Sequence, residues 1–211
     1  VFEWYDFFLY GSLAAFFSTR FFPAENETTA LLASLATFGA GFGVRPLGAL
    51  LFGHMGDRIG RKKTFLATIT LMGIATTLVG FLPTYESAGI WASAALVSLR
   101  LMQGLAIGGE YGGAAVYVAE HAPPGKVGAH TGWINSMAAG GFLLALAVVL
   151  SCRGIFGEDV FEDWGWRVPF ILSLILLMIS LYIRLRMGES PVFLAMKKRG
   201  DTSRNPIVES F

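Results

Sequence analysis

The sequence predicts an all-α membrane protein built from six transmembrane helices. Three observations carry that reading. Of 211 residues, 54% are hydrophobic and only 15% are charged, with a mean hydropathy of +0.58; a soluble domain carries about a quarter charged residues. Six apolar runs approach or exceed the roughly 20 residues that cross a bilayer core, and they lack the amphipathic period of helices in a soluble bundle. Basic residues gather in alternate connections between those runs. The net charge of +1 and the absence of basic residues interleaved with aromatics exclude a nucleic-acid partner. The single cysteine, Cys152, excludes an internal disulfide framework and a cysteine metal site.

The runs are taken in order. The first extends from Phe2 to Phe22, the second from Leu31 to Phe52 and the third from Thr64 to Leu82. The fourth extends from Ile90 to Val118, the fifth from Gly128 to Cys152 and the sixth from Trp166 to Met187. The chain begins at Val1, already inside an apolar stretch, with no charged leader and no small-residue cleavage site, so it reads as a fragment rather than as a signal peptide. Asn26-Glu27-Thr28 has the form of a glycosylation sequon, a pattern too short to carry weight.

The connections alternate in charge. Those on the even side and the tail hold eleven Lys and Arg residues, among them Arg58, Arg61, Lys62, Lys63, Arg184 and Arg186; the odd side holds three, Arg20, Arg153 and Arg167. Short basic loops stay in the cytoplasm. Both ends of the chain are therefore expected on the cytoplasmic side of the inner membrane, with Cys152 at the outer end of the fifth helix. His54, His121 and His130 lack metal-ligand spacing and read as surface residues, and no metal or other cofactor is expected.

The densest charge cluster, "FGHMGDRIGRKK", needs more than topology to explain it, because a topology signal uses Lys and Arg but neither Asp nor Gly. Gly53-x-x-Gly56-Asp57-Arg58-x-Gly60-Arg61-Lys62-Lys63 resembles the signature loop between helices two and three of the major facilitator superfamily. "EWYDFFLYG", "VRPLGALLFGHMGDRIGRKK", "RLMQGLAIGGEYGGAAVYVAE", "DWGWRVPF" and "ESPVF" resemble its metabolite:proton symporter branch, in the branch's order and across nearly the whole chain. The resemblance implies the N-terminal half of a twelve-helix fold. Residues 1–187 would be the six-helix bundle and residues 188–211 the start of a cytoplasmic loop towards a second half. It also implies that Gly53, Gly56, Asp57, Arg58, Gly60, Arg61 and Lys62, with Glu120 on helix four, form a cytoplasmic latch. One departure stands out. Relatives place an Arg six residues after that Glu, where this chain has Val127 beside Lys126, so Glu120 is expected to lean on Arg61 or Lys62.

Charges within apolar runs mark the candidate pathway. Each costs roughly 2.5–3.5 kcal/mol at a helix centre on insertion scales, and such residues default to functional candidates. They are Glu3 and Asp6 in the first run, Arg45 in the second, and Arg100 and Glu110 in the fourth. Arg45 and Glu110 also admit a plain structural reading, as ion pairs locking helices together. Tyr10, four residues after Asp6, shares its helix face, and Asn135 is a polar candidate in the fifth run. Arginine does not release its proton, so a proton carrier must be an acid. Asp6 is the first choice, with Glu3 and Glu110 in reserve and Arg45 and Arg100 as its expected cations. Gly104, Gly108 and Gly112 recur every four residues, the spacing that lets membrane helices touch backbone to backbone.

The resemblance implies a proton-coupled transporter of a small polar metabolite, an organic acid or a zwitterionic osmolyte. Its partners would be that substrate, protons, membrane lipid and the second half of the same transporter. An uncoupled facilitator or a sugar-type porter of the same superfamily is the alternative. A membrane enzyme would need a nucleophile, base or metal set that the sequence lacks.

Overall fold

A computed structural model describes residues 1–23, 26–123, 125–186 and 188–189. The described residues are helical almost throughout. The first run is two helices, α1 (Phe2–Ser12) and α2 (Ala14–Phe21), which meet at Leu13. The second is α3 (Glu27–Gly43) and α4 (Arg45–Ile59), which meet at Val44. Pro46 sits in the first turn of α4, where its missing N–H is tolerated. The third run is α5 (Arg61–Phe81), and a short α6 (Tyr85–Ala88) leads into the fourth, α7 (Ile90–His121). The fifth is α8 (Val127–Phe156). Then α9 (Glu158–Val160) and a π-helical turn at Phe161–Gly165 precede the sixth, α10 (Arg167–Arg186). Five stretches are long and apolar enough to cross a membrane: Glu27–Ile59, Arg61–Phe81, Ile90–His121, Val127–Phe156 and Arg167–Arg186. The broken pair α1–α2 supplies the remaining apolar run. The tail expected at 188–211 lies outside the described residues, apart from Gly188 and Glu189.

Two expectations change. The charge cluster is not a loop. α4 runs on through Gly53, Gly56, Asp57 and Arg58 to Ile59, and α5 starts at Arg61. Gly60 alone leaves the helix, with φ 107 and ψ 151, a backbone conformation that glycine adopts without Cβ strain. Glycines inside α4 cost only about 1 kcal/mol each against alanine, so the helix persists until the chain must turn. The sequon at Asn26 has a structural use instead: the Thr28 backbone N–H donates to Asn26 Oδ1 at 2.8 Å, which caps α3.

The bundle is closed by small residues rather than by apolar interlock alone. α4 packs on α7, α5 on α10 and on α7, and α1 on α8. Between α3–α4 and α7 the backbones touch. A Cβ on Gly104 would lie 2.1 Å from the Gly41 carbonyl oxygen, one on Gly108 2.2 Å from that of Arg45, and one on Gly48 2.1 Å from that of Leu105. The four-residue glycine row therefore works at Gly104 and Gly108 as expected. Gly112 faces open space, as does Gly53 in the motif. Towards the end where α10 begins, an aromatic core of Tyr5, Phe17, Phe21, Phe161, Trp166 and Phe170 is fully buried. α10 has two faces: Phe170, Ser173 and Leu177 are buried, while Leu174, Met178 and Tyr182 are exposed.

Gly104→Leu should therefore separate α7 from α3 and cost about 3 kcal/mol or more, since overpacking against immovable backbone is the severe case. Gly112→Ala should be close to neutral. Thermal unfolding of the purified protein in detergent measures both; equal effects would contradict the backbone contact.

Candidate functional site

The candidate charges divide into three clusters, each set by the helix that carries it. Arg100 on α7 is fully buried. Its Nη2 donates to the Phe7 carbonyl oxygen at 2.9 Å and its Nη1 to Gln103 Oε1. Gln103 Nε2 donates in turn to Thr76 Oγ1 at 2.7 Å, and the Thr76 hydroxyl donates to the Met72 carbonyl oxygen at 2.9 Å. The guanidinium lies 4.2 Å from the Tyr10 ring centre and 5.0 Å from that of Phe7. Tyr10 is held from the other side, its hydroxyl donating to the Ser34 carbonyl oxygen at 3.1 Å. A cation in a low-dielectric interior is thus carried by carbonyl dipoles, an amide and ring faces.

Asp6 is buried on α1, and Ser173 Oγ of α10 donates to its carboxylate at 2.6 Å. The expected ion pairs of Asp6 with Arg45 or Arg100 do not form; among the described residues no salt bridge reaches Asp6. The reason is directional. Nη1 and Nη2 of Arg100 are bonded to Gln103 and Phe7, and Arg45 is set among the rings of Phe42, Phe7 and Trp4. Asp6 is held by the Ser173 hydroxyl, while Arg100 is held by Phe7 and by Gln103, which is itself fixed by Thr76; acid and cation are each answered by neutral groups rather than by one another.

The second cluster joins α1, α7 and α10. Arg184 Nη2 donates to both Glu3 Oε1 and Glu110 Oε1. Two carboxylates share one guanidinium beside a cavity of about 190 Å³ that Trp4, Ile107 and Tyr111 also line. Glu110 thus forms an ion pair between helices, with a partner the charge count had assigned to the tail. Arg184 lies between Ile183 and Leu185, inside the sixth run. That position was the available signal, and counting it as a loop charge concealed it.

The third position is Arg45. Its guanidinium centre lies 3.9 Å from the Phe42 ring centre, 4.4 Å from Phe7 and 5.3 Å from Trp4. Asn135 faces the same side and accepts a hydrogen bond from the Tyr111 hydroxyl at 2.9 Å. Both line a cavity of about 490 Å³ between the first, second, fourth and fifth runs.

At the opposite end of α4 from Arg45, Arg61 pairs with Asp57 at 2.8 Å across the Gly60 turn. The Lys62 backbone N–H donates to the Glu189 carboxylate at 3.2 Å, an acid at the N-terminus of α5, and Lys62 Nζ donates to the Leu185 carbonyl oxygen at 2.8 Å. Gly56 packs under the Arg61 side chain, and Arg58 is exposed on the last turn of α4. The motif thus fastens the α4–α5 turn to the end of the sixth run. Glu120 stands on the last turn of α7 and is not free of interactions. His121 and His130 are exposed as expected, each ring bonded to the carbonyl four residues back. His54 is half-buried, a departure from the surface reading, because α4 continues past it as helix.

Comparison with known proteins fits this geometry. The family model described as "Sugar (and other) transporter" matches residues 1–208. The chain belongs to the sugar (and other) transporter family. Within the major facilitator superfamily it is 41% identical over 213 residues to a shikimate transporter of Escherichia coli, covering 100% of this chain and 49% of that one. It is 42% identical over 191 residues to a proline/betaine transporter of Escherichia coli, covering 90% of this chain and 38% of that one. A partially occluded, inward-open xylose transporter of E. coli shares the fold at a TM-score of 0.81 and 20% identity, over 95% of this chain and 48% of that one. The chain therefore has the architecture of the N-terminal half of a major facilitator fold and is a multi-pass membrane protein. It spans about half the length of the curated relatives it matches.

Arg184→Gln should leave two buried acids without their cation and cost about 3 kcal/mol or more. Adding Glu110→Gln should recover part of that loss, because one of the stranded charges goes with it. Thermal unfolding of the two variants reads the difference; a double variant no more stable than the single one would contradict the shared pairing.

Proposed function

We propose that this chain forms the N-terminal half of a proton-coupled symporter of the inner membrane, which moves a small polar metabolite. The observation that carries the reading is a buried acid held by a neutral hydroxyl, Asp6 with Ser173, in the same bundle as a buried cation that is not paired with it, Arg100 with Phe7 and Gln103. Asp6 is the proton carrier in this reading, because an acid can both hold and release a proton whereas arginine cannot. Arg100, with Phe7, Gln103 and Thr76, ties the first, third and fourth helices beside it. Glu3, Glu110 and Arg184 tie the first, fourth and sixth helices on one side of the cavity, and Tyr10 and Asn135 complete the pathway. The α4–α5 turn, from Gly53 to Lys62 with Glu120 beside it, acts as the cytoplasmic latch.

The charge bias supports both ends lying in the cytoplasm. The relatives support the substrate class: one is described as a transporter of shikimate and another of proline and betaine. The substrate is an organic acid or a zwitterionic osmolyte, and a second six-helix half supplies the other wall of the cavity.

The test uses the full-length transporter in proteoliposomes. With an inward proton gradient, one of shikimate, proline or betaine should accumulate above its outside concentration. Collapsing the gradient with an uncoupler should release it to equality. Equilibration without accumulation in both conditions would make the protein a facilitator.

A further inference from the structure

The three guanidiniums inside the bundle are not equivalent. Arg100 is bonded to Phe7 and Gln103, and Arg184 to Glu3 and Glu110. Arg45 has no hydrogen bond and no ion pair among the described residues; Nε and Nη2 are shut off from solvent without an acceptor, and Nη1 alone stays open. Arg100 also leaves its Nε without an acceptor, but both its Nη groups are bonded, whereas no donor of Arg45 is; buried donors left unmade are costly, and a whole guanidinium of them calls for a purpose.

The rings around Arg45 hold the guanidinium by its faces and use none of its donors. Phe42, Phe7 and Trp4 orient the plane, and the free edge remains for a planar acceptor. No carboxylate lines the adjoining cavity of about 490 Å³, so its local charge is positive. The cavity's other polar groups are the Tyr111 hydroxyl and the Asn135 amide. The hydroxyl's proton is spent on Asn135 Oδ1, which leaves the two N–H donors of that amide facing the same space.

We propose that Arg45 is the anchor for the substrate's carboxylate. One carboxylate oxygen meets Nη1 end-on, a small turn of the side chain brings Nη2 to the other, and Asn135 donates to a further oxygen of the ligand. The aromatic faces are already occupied by a cation, so a ligand's own positive pole finds no cage here. The site therefore selects an anionic group over a cationic one, and takes a small organic acid with an apolar flank against Trp4 and Phe42. A bidentate guanidinium–carboxylate fork supplies geometry as well as charge. This assignment rests on the transporter reading above and names the group of the substrate that the cavity recognises.

The test is binding to the purified full-length transporter in detergent, with no gradient present, so that a failure of proton coupling does not touch it. Shikimate, L-proline and glycine betaine are each titrated against their methyl esters, by calorimetry, in wild type, Arg45→Gln and Arg45→Lys. At least one acid should bind wild type better than its ester. Arg45→Gln should weaken that acid about tenfold or more, as for the loss of a hydrogen bond to a charged group, and leave the ester unchanged. Arg45→Lys, which keeps the charge but loses the fork, should fall between the two. Equal affinity of wild type and Arg45→Gln for the acid overturns the proposal. So does an equal loss for acid and ester, the signature of an arginine that only pairs with an acid elsewhere in the transporter. Failure of all three acids to bind wild type at millimolar concentration overturns it as well.

Discussion

A charge in hydrocarbon must be answered from within the protein, and the arrangement of this bundle follows from how each of six such charges is answered. Even on insertion scales each costs roughly 2.5–3.5 kcal/mol at mid-helix, so α7, with Arg100 and Glu110, would insert poorly alone. The remedy is tertiary. Arg100 is answered by the Phe7 carbonyl and by Gln103, Glu110 and Glu3 by Arg184, Asp6 by Ser173, and Arg45 by three aromatic rings. Apart from the Arg100–Gln103 and Arg45–Phe42 contacts, each joins different apolar runs. Burying the charges and assembling the helices are one event.

That constraint explains the glycines. For Arg100 to reach the backbone of α1, and for Arg45 to lie over Phe7, α3–α4 must approach α7 more closely than side chains allow. Gly48, Gly104 and Gly108 remove the obstacle and let carbonyls lie where a Cβ would otherwise stand. In a membrane there is no hydrophobic effect to draw helices together, so close packing and polar contacts between them take its place. The same exchange of bulk for contact is seen at the α4–α5 turn. There Gly60 gives the reversal, Gly56 makes room for Arg61, and Asp57 holds that arginine in register.

Much of the fold was legible because length and apolarity are nearly sufficient for membrane helices: all six runs are helical, the first broken at Leu13, and the second and fifth reach beyond their expected ends. The charge cluster at Phe52–Lys63 was misread as a loop because glycines and charges mark turns in soluble proteins. In α4 they mark a helix leaving the apolar zone and turning only at Gly60. The buried charges were legible singly, since a charge in an apolar run stands out. Their pairing was not. Asp6 bonds to Ser173, 167 positions away, and nothing local distinguishes Ser173 from the other small hydroxyls of the runs. Gln103 was within reach of inference, three residues from Arg100 and hence on its face. Arg184 was lost to the assumption that a basic residue near a helix end belongs to the loop.

The central claim is that Asp6 carries the coupled proton while Arg100 and its relay hold the site together. Asp6→Asn keeps the shape and the Ser173 contact but removes the exchangeable proton. The direct measurement is uphill accumulation set against substrate counterflow in the same proteoliposomes. The account predicts that Asp6→Asn loses accumulation altogether while counterflow continues at a measurable rate. Accumulation at the wild-type level in that variant would contradict it.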